Sequence, residues 1–333
     1  MKALTIDRYG KQADCRIRDV PQPEPGADEI LVRVHAASVN LLDAKIKNGE
    51  FKLILPYRVP LVLGHDIAGE VVRVGPEVRR FKPGDEVFAR LDDMHIGAFA
   101  EYAAVREGAL AHRPATLSME EAASLPLVAL TAWQALVELA GLAPGQKVFI
   151  QAGSGGVGSI AIQLAKHLGA FVATTTSTGN LAWVAGLGAD RVIDYTQQDF
   201  ADVLRDYDVV LHSLGSRELQ RSVKVLKPGG RLISISGPPT PQFAQAQGLA
   251  WPLQQVLRLL SHGIRRAARR RGIDYTFMFM RAEGEQLAWI AELVDARHLR
   301  PTIDRVVPFE QAAEALTYVE QGRAKGKVVI RMR

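Results

Sequence analysis

Gly153, Gly155 and Gly158 lie in the stretch FIQAGSGGVGSIAIQLAKHLGA, residues 149–170. They are spaced G-x-G-x-x-G directly after an apolar run with strand character, and a helix is predicted from about Gly156 to Leu168. At this spacing the first glycine permits a tight turn and the second lets a diphosphate approach the backbone. The third allows the helix to pack closely on the strand. The amides and the positive dipole end of the helix N-terminus then face the anion. Ser154, Gly156 and Val157 complete the turn. The chemistry predicted is dinucleotide binding; glycines serving only a turn are the alternative.

Which dinucleotide depends on the end of the next strand, about 20 residues on, where an Asp or Glu would bond the ribose 2′-hydroxyl of NAD. Here the stretch is TTTSTGN, Thr174 to Asn180, with no acid before Asp190. A carboxylate would repel a 2′-phosphate, whereas the Thr176 and Ser177 hydroxyls and the Asn180 amide can donate to one. The expected cofactor is NADP(H). A solvated polar loop is the alternative, because no Lys or Arg in it supplies a charge-assisted bond.

The elements that must position this turn are legible around it. Residues 1 to about 110 read as short β segments punctuated by Gly, Pro and Asp, among them EILVRVHAASV, AGEVVRVGPEV, GDEVFAR and GAFAEYAAV. From about Met119 strands and helices alternate: KVFIQAG, the glycine helix, FVATTT, a helix near Asn180 to Gly188, RVIDY, DVVLHS and GRLISIS. Such alternation implies right-handed βαβ units and a parallel sheet covered on both faces. After Gly237 comes a Pro- and Gln-bearing insertion, then a helix with Leu253, Val256, Leu257, Leu260 and Ile264 on one face, then the strand DYTFMFM. The tail reads as a helix near Glu283 to Ala296, the segment TIDRVVPF, a helix from about Glu310 to Gln321 and a last strand KVVIRM. The fold class is α/β, and 333 residues suit two domains.

Composition narrows the function classes. With 23% charged and 47% hydrophobic residues, the chain is an ordinary globular protein. The single cysteine, Cys15, excludes an internal disulfide and any site needing two thiolates. No uninterrupted apolar run reaches bilayer-spanning length, and MKALTIDRYGKQADC lacks a signal-peptide core, so the expected location is cytoplasmic. Arg258, Arg265, Arg266, Arg269, Arg270 and Arg271 put six positive charges into one stretch; without them a net charge of +5 becomes −1. Basicity is local, and no nucleic-acid partner is expected. The cluster reads first as a solvated helix. Peripheral contact with an anionic membrane and attraction of an acidic substrate are alternatives.

Several motifs in order give the chain its likeness: ASVNLLDAKIKNG (37–49), LGHDIAGEVVRVGPEVRRFKPGDEVFA (63–89), GAFAEYAAV (97–105), AASLPLVALTAWQAL (122–136), the glycine motif and GADRVIDY (188–195). Over nearly its whole length the chain resembles the medium-chain dehydrogenase/reductase superfamily, and within it the zinc-free, quinone-oxidoreductase-like branch. The resemblance implies a doubly wound Rossmann parallel sheet, residues 123–281, and a GroES-like β-rich domain, residues 1–122 and 282–333. It also implies a homodimer and a cofactor in the cleft between the lobes. Zinc-dependent relatives place ligands at positions corresponding to Asn40, His65 and Leu127, of which only the histidine is a ligand type, so no metal is expected. His65 then reads as a hydrogen-bonded structural histidine, with proton handling as the alternative. Asp43 and Asp66 read as structural acids, pairing with cations such as Lys47 or with backbone amides.

The same resemblance places Asn40 beside nicotinamide and substrate as one catalytic residue, and gives Thr131, as the other, a bond to the carboxamide. It groups Tyr195 with Ser177 and Asn180 around the 2′-phosphate, and sets Ser236 and Gly237 beside the nicotinamide ribose. An ordinary turn residue and an ordinary helix residue are the alternatives for Asn40 and Thr131. Without a Lewis acid to assist an alcohol's proton loss, the expected reaction is hydride transfer from NADPH to a quinone or an α,β-unsaturated carbonyl compound. A nucleotide-binding sensor or structural protein with little turnover is the rival reading.

Overall fold

The computed structural model describes residues 1–332. In chain order its strands are β1 (Lys2–Ile6), β2 (Cys15–Asp19), β3 (Glu29–Val39), β4 (Leu61–Val62), β5 (Asp66–Val74), β6 (Glu86–Arg90), β7 (Tyr102–Arg106), β8 (Leu110–His112), β9 (Lys147–Ile150), β10 (Phe171–Thr176), β11 (Arg191–Asp194), β12 (Tyr207–His212), β13 (Leu226–Ser234), β14 (Asp274–Phe277), β15 (Ile303–Pro308) and β16 (Lys327–Arg331). The α-helices are α1 (Leu41–Asn48), α2 (Met119–Ala123), α3 (Pro126–Trp133), α4 (Gly156–His167), α5 (Leu181–Gly186), α6 (Phe200–Val203), α7 (Ser216–Ser222), α8 (Pro241–Ala246), α9 (Trp251–Leu260), α10 (His262–Arg270), α11 (Gly284–Asp295) and α12 (Ala312–Glu320). The chain divides into two compact units, Met1–Leu130 with Arg281–Arg333, and Thr131–Met280.

The first unit is β-rich. A seven-stranded sheet runs β15-β16-β3-β5-β6-β8, with β7 paired to β3, and a three-stranded sheet runs β2-β1-β4. Strand β3 is the hub, pairing antiparallel with β5, β7 and β16. Its apolar residues Ile30, Val32, Val34, Ala36 and Ala37 are all buried, as expected of a strand covered on both faces. The unit takes in α2 and the start of α3, ending at Leu130 rather than at residue 122. Helix α2, capped by Ser118 accepting from Glu121 N–H, packs on β3 and β5, which ties those residues to the β-rich side.

The second unit is a six-stranded parallel sheet in the order β11-β10-β9-β12-β13-β14. The chain winds outward from β9 to β11 on one side and from β12 to β14 on the other, so its direction of winding reverses between the neighbouring strands β9 and β12, the place where ligands bind in such sheets. Central strand β9 is apolar beyond Lys147, and Val148, Phe149 and Ile150 are buried. The Phe149 ring packs on Phe200 at 4.9 Å and edge-on to Tyr207 at 6.5 Å. All strands point the same way, so their C-terminal ends gather on one edge.

Candidate active site

Between β9 and α4 the chain turns at Ala152, whose backbone is left-handed with φ 53°. Gly153 N–H donates to Thr175 O (2.9 Å) and Gly155 N–H to Ala152 O (2.9 Å). The three glycines differ in why they must be glycine. A Cβ on Gly153 would stand 2.4 Å from Thr174 Oγ1, and one on Gly158 would stand 2.2 Å from the Ala152 carbonyl oxygen. On Gly155 it would meet only that same oxygen, at 3.3 Å, a crowding that a small shift relieves. The fold thus demands glycine firmly at 153 and 158 and weakly at 155, where close approach of a diphosphate is the remaining reason. No side chain caps α4 at Gly155, so the first-turn amides of Gly156, Val157 and Gly158 are left to an anion. These features fit a dinucleotide.

Strands β10 and β11 end together, with Thr176 opposite Asp194. Tyr195 N–H donates to Thr176 O (3.1 Å), and Asn180 Nδ2 donates to Ser177 Oγ (3.2 Å). The four residues expected around the 2′-phosphate are therefore collected on the C-terminal edge, with Tyr195 62% exposed. Among the described residues Thr176 Oγ1 is buried without a hydrogen-bond partner, an orphan that a bound polar group would satisfy. One residue here escaped the sequence reading, which looked for an acid only at the end of β10. Asp194 enters from the adjacent strand, and its carboxylate accepts from Thr178 Oγ1 (2.6 Å) and Thr196 Oγ1 (2.7 Å). Those hydroxyls, Thr178 foremost, hold its pKa below the usual value.

Farther along the same edge, β12 and β13 end at His212 and Ser234. Gly237 N–H donates to Ser234 Oγ (2.7 Å), which faces His212 Nδ1 (2.8 Å), while His212 Nε2 faces Gly215 O (3.0 Å). Burial lowers the His212 pKa to about 4, so the ring is neutral, and its carbonyl partner assigns the hydrogen to Nε2. Ser236 Oγ donates to Leu214 O (2.6 Å). The expected Ser236 and Gly237 are thus held by a histidine that no motif announced. Thr131 is buried in α3, just before the helix widens into a π-helical turn at Gln134–Leu139, a feature frequent at functional sites.

In the β-rich unit, Asn40 stands at the N-terminus of α1 in extended backbone, and its N–H donates to Asp43 Oδ2 (2.7 Å). The Asn40 carboxamide is engaged at both ends. Nδ2 donates to Asp66 Oδ2 (2.9 Å), and Oδ1 accepts from Lys327 Nζ. Asp66 also accepts from Ser38 Oγ (3.1 Å) and Leu127 N–H (3.0 Å) and lies 3.5 Å from Lys327 Nζ. Lys327 donates further to Val39 O (3.1 Å). Burial pushes the Asp66 pKa up against the pull of Lys327, and pushes Lys327 down against Asp66. The geometry favours an ionised pair, since every Asp66 partner is a donor and every Lys327 partner an acceptor. Lys327 was invisible to the sequence reading; its one signal was a lysine directly before the apolar run Val328, Val329 and Ile330.

Beside this pair, His65 Nδ1 lies 2.5 Å from Asp43 Oδ1, both side chains fully buried, and among the described residues His65 Nε2 has no partner. Asp43 therefore pairs with His65 rather than with Lys47, which donates to Lys11 O (3.0 Å) and lies 3.4 Å from Glu320. Among the described residues no three His, Cys, Asp or Glu side chains form a metal-holding group. Asn40 Oδ1 is already given to Lys327, and the Leu127 position offers an aliphatic side chain.

Residues 26–115 match the alcohol dehydrogenase GroES-like domain, and residues 187–330 match a family described as zinc-binding dehydrogenase. The chain is 36% identical to the 2-methylene-furan-3-one reductase of Solanum lycopersicum over 99% of its own length and 79% of the relative's. It is 34% identical to the chloroplastic quinone-oxidoreductase QR1 of Triphysaria versicolor, covering 99% and 98%. Among solved structures, the quinone oxidoreductase from Coxiella burnetii superposes with a TM-score of 0.88 at 31% identity, covering 100% of this chain and 99% of that one. With glycine turn, parallel sheet and β-rich unit all in place, the chain belongs to the medium-chain dehydrogenase/reductase superfamily, in its zinc-free quinone-oxidoreductase-like branch.

Proposed function

We propose that the protein is an NADPH-dependent, metal-independent reductase of quinones or α,β-unsaturated carbonyl compounds. The observation that carries the reading is the uncapped α4 N-terminus, where Gly155 is open to a diphosphate although the fold scarcely requires glycine there. The acceptor class is supported by the names of the relatives. When bound, the reduced nicotinamide supplies a hydride to an electron-poor carbon or oxygen of the acceptor.

The chain's own residues bind and orient. The first-turn amides of α4 hold the diphosphate, and Thr176, Ser177, Asn180 and Tyr195 donate to the 2′-phosphate. His212 and Ser234 fix the backbone at Ser236 and Gly237 for the nicotinamide ribose, and Thr131 bonds the carboxamide. Asn40, clamped by Lys327 and Asp66, presents a rigid wall rather than an adaptable ligand.

Near Asn40, Asp66 is committed to Lys327 and Asp43 to His65. His65 is held through Nδ1 by Asp43 and turns Nε2 to no partner among the described residues. Solvent supplies the proton in this reading, which suits a quinone or enone because its developing charge is delocalised. An isolated ketone, concentrating that charge on one oxygen, would need a positioned acid. A homodimer, for which edge strand β14 offers a surface, and a cytoplasmic setting complete the proposal.

The test follows NADPH absorbance with a panel of benzoquinones, naphthoquinones and enones, run in parallel with NADH and after dialysis against a chelator. Turnover of conjugated acceptors, faster with NADPH and unchanged by the chelator, is expected. Tight NADPH binding with no acceptor reduced would instead establish the low-turnover sensor, and loss of activity to the chelator would overturn metal independence.

A further inference from the structure

Helices α9 and α10 leave unexplained what the rest of the fold explains. The hydrogen-bond ladder passes through Ser261, with Ser261 N–H donating to Leu257 O (3.0 Å) and Arg265 N–H to Ser261 O (3.1 Å). At about 100° per residue, Leu257, Ser261, Ile264 and Ala268 form one stripe, and all four are buried. Two residues expected on that apolar face are not in the core: Val256 is 49% exposed and Leu260 62%. On the outward side Trp251 is 71% exposed and Leu259 76%. The same outward side carries Arg258, Arg266, Arg269 and Arg270, all exposed. None of the six arginines of residues 258–271 is paired with a carboxylate among the described residues. No acid occurs between Glu218 and Asp274; those two, on or beside α7 and β14 against which α10 packs, are the nearest in sequence.

We propose that α9 and α10 form a docking surface for an anionic lipid bilayer, lying parallel to it. Trp251, Leu259 and Leu260 enter the headgroup boundary, and the arginines face the lipid phosphates. Large exposed apolar side chains beside a cationic helix face suit a boundary with water on one side and hydrocarbon on the other. A nucleic acid gives exposed Leu259 and Leu260 no stacking or hydrogen-bonding partner. A second copy, docked face to face by a twofold axis, would bring this cationic stripe against itself. No helix of the described residues is long and apolar enough to cross a membrane, so the contact is peripheral.

The experiment is flotation of the full-length protein with phosphatidylcholine vesicles and with vesicles containing about one-third phosphatidylserine, at low and high salt. Binding to the anionic vesicles alone, weakening as salt rises, is expected. Each arginine removed should lower partitioning roughly fivefold, so Arg266→Gln, Arg269→Gln and Arg270→Gln together should lower it roughly a hundredfold. Leu259→Ser with Leu260→Ser should weaken vesicle binding at least about fivefold without altering retention on heparin, which separates a bilayer from any polyanion. Quenching of tryptophan emission by brominated lipid, lost in Trp251→Phe, reports insertion without reference to the arginines. Equal binding to neutral and anionic vesicles, no binding to either, or an unchanged Leu259→Ser/Leu260→Ser variant would overturn the proposal. Melting curves and reduction of a water-soluble quinone confirm that each variant is folded.

Discussion

The glycine turn of the α/β unit and the Asn40–Asp66–Lys327 cluster of the β-rich unit meet opposite demands by opposite means. The turn is made by neighbours in sequence and chiefly by backbone: absent Cβ atoms, uncapped amides and one left-handed residue, Ala152. The cluster is made by side chains, and Asn40 meets Lys327 across 287 positions. A turn built this way binds a ligand that many chains share. A cluster built this way holds one side chain still, at the energetic risk of burying charge.

That contrast can be broken, and the largest effect should come from the cluster. Lys327→Met leaves Asp66 buried and uncompensated and should cost roughly 3–5 kcal/mol in urea unfolding. Adding Asp66→Asn should return part of the loss, because the pair then disappears together. A single-variant cost below about 1 kcal/mol would mean the pair is not held as its geometry implies. Next comes Gly158→Ala, whose Cβ would meet the Ala152 carbonyl oxygen at 2.2 Å. It should lose about 3 kcal/mol of stability along with cofactor binding, measured by melting and by NADPH fluorescence.

His212 gives a similar effect that appears only with pH. Burial lowers its pKa from 6.5 to about 4, so folding disfavours the protonated form. The contribution is whole above about pH 6.5 and is lost as pH falls from there through 4, about 3 kcal/mol in all. Melts across that range should show the loss, and His212→Gln should flatten it. The smallest stability effect, and the sharpest test of the comparison, is Gly155→Ala. It should change stability by less than about 1 kcal/mol yet weaken NADPH binding at least about tenfold. Equal losses in both measurements would show that Gly155 serves the fold and not the ligand.

The glycine turn and its helix were legible because their determinants are local. G-x-G-x-x-G after an apolar run constrains backbone within one βαβ unit, and α4 begins at the expected Gly156. The alternation of elements likewise announced the parallel sheet. Asp194 was missed because its relevance depends on which strand lies beside β10. His212 was missed because its partners Ser234 and Gly215 come from the ends of two elements. Val256 and Leu260 carried the right period for a buried face, yet a period reports only which residues share a side and not whether a neighbour covers it.

The sequence by itself determined the class of fold, the turn for an anionic dinucleotide, and the lack of a thiolate set for zinc, since each depends on residue type and short spacing. Only the tertiary structure decided that Asn40 is clamped, that Asp43 belongs to His65 and not Lys47, and that α9 faces outward. Those outcomes depend on strand register and burial, which bring remote side chains to hydrogen-bonding distance and set the strength of their electrostatics.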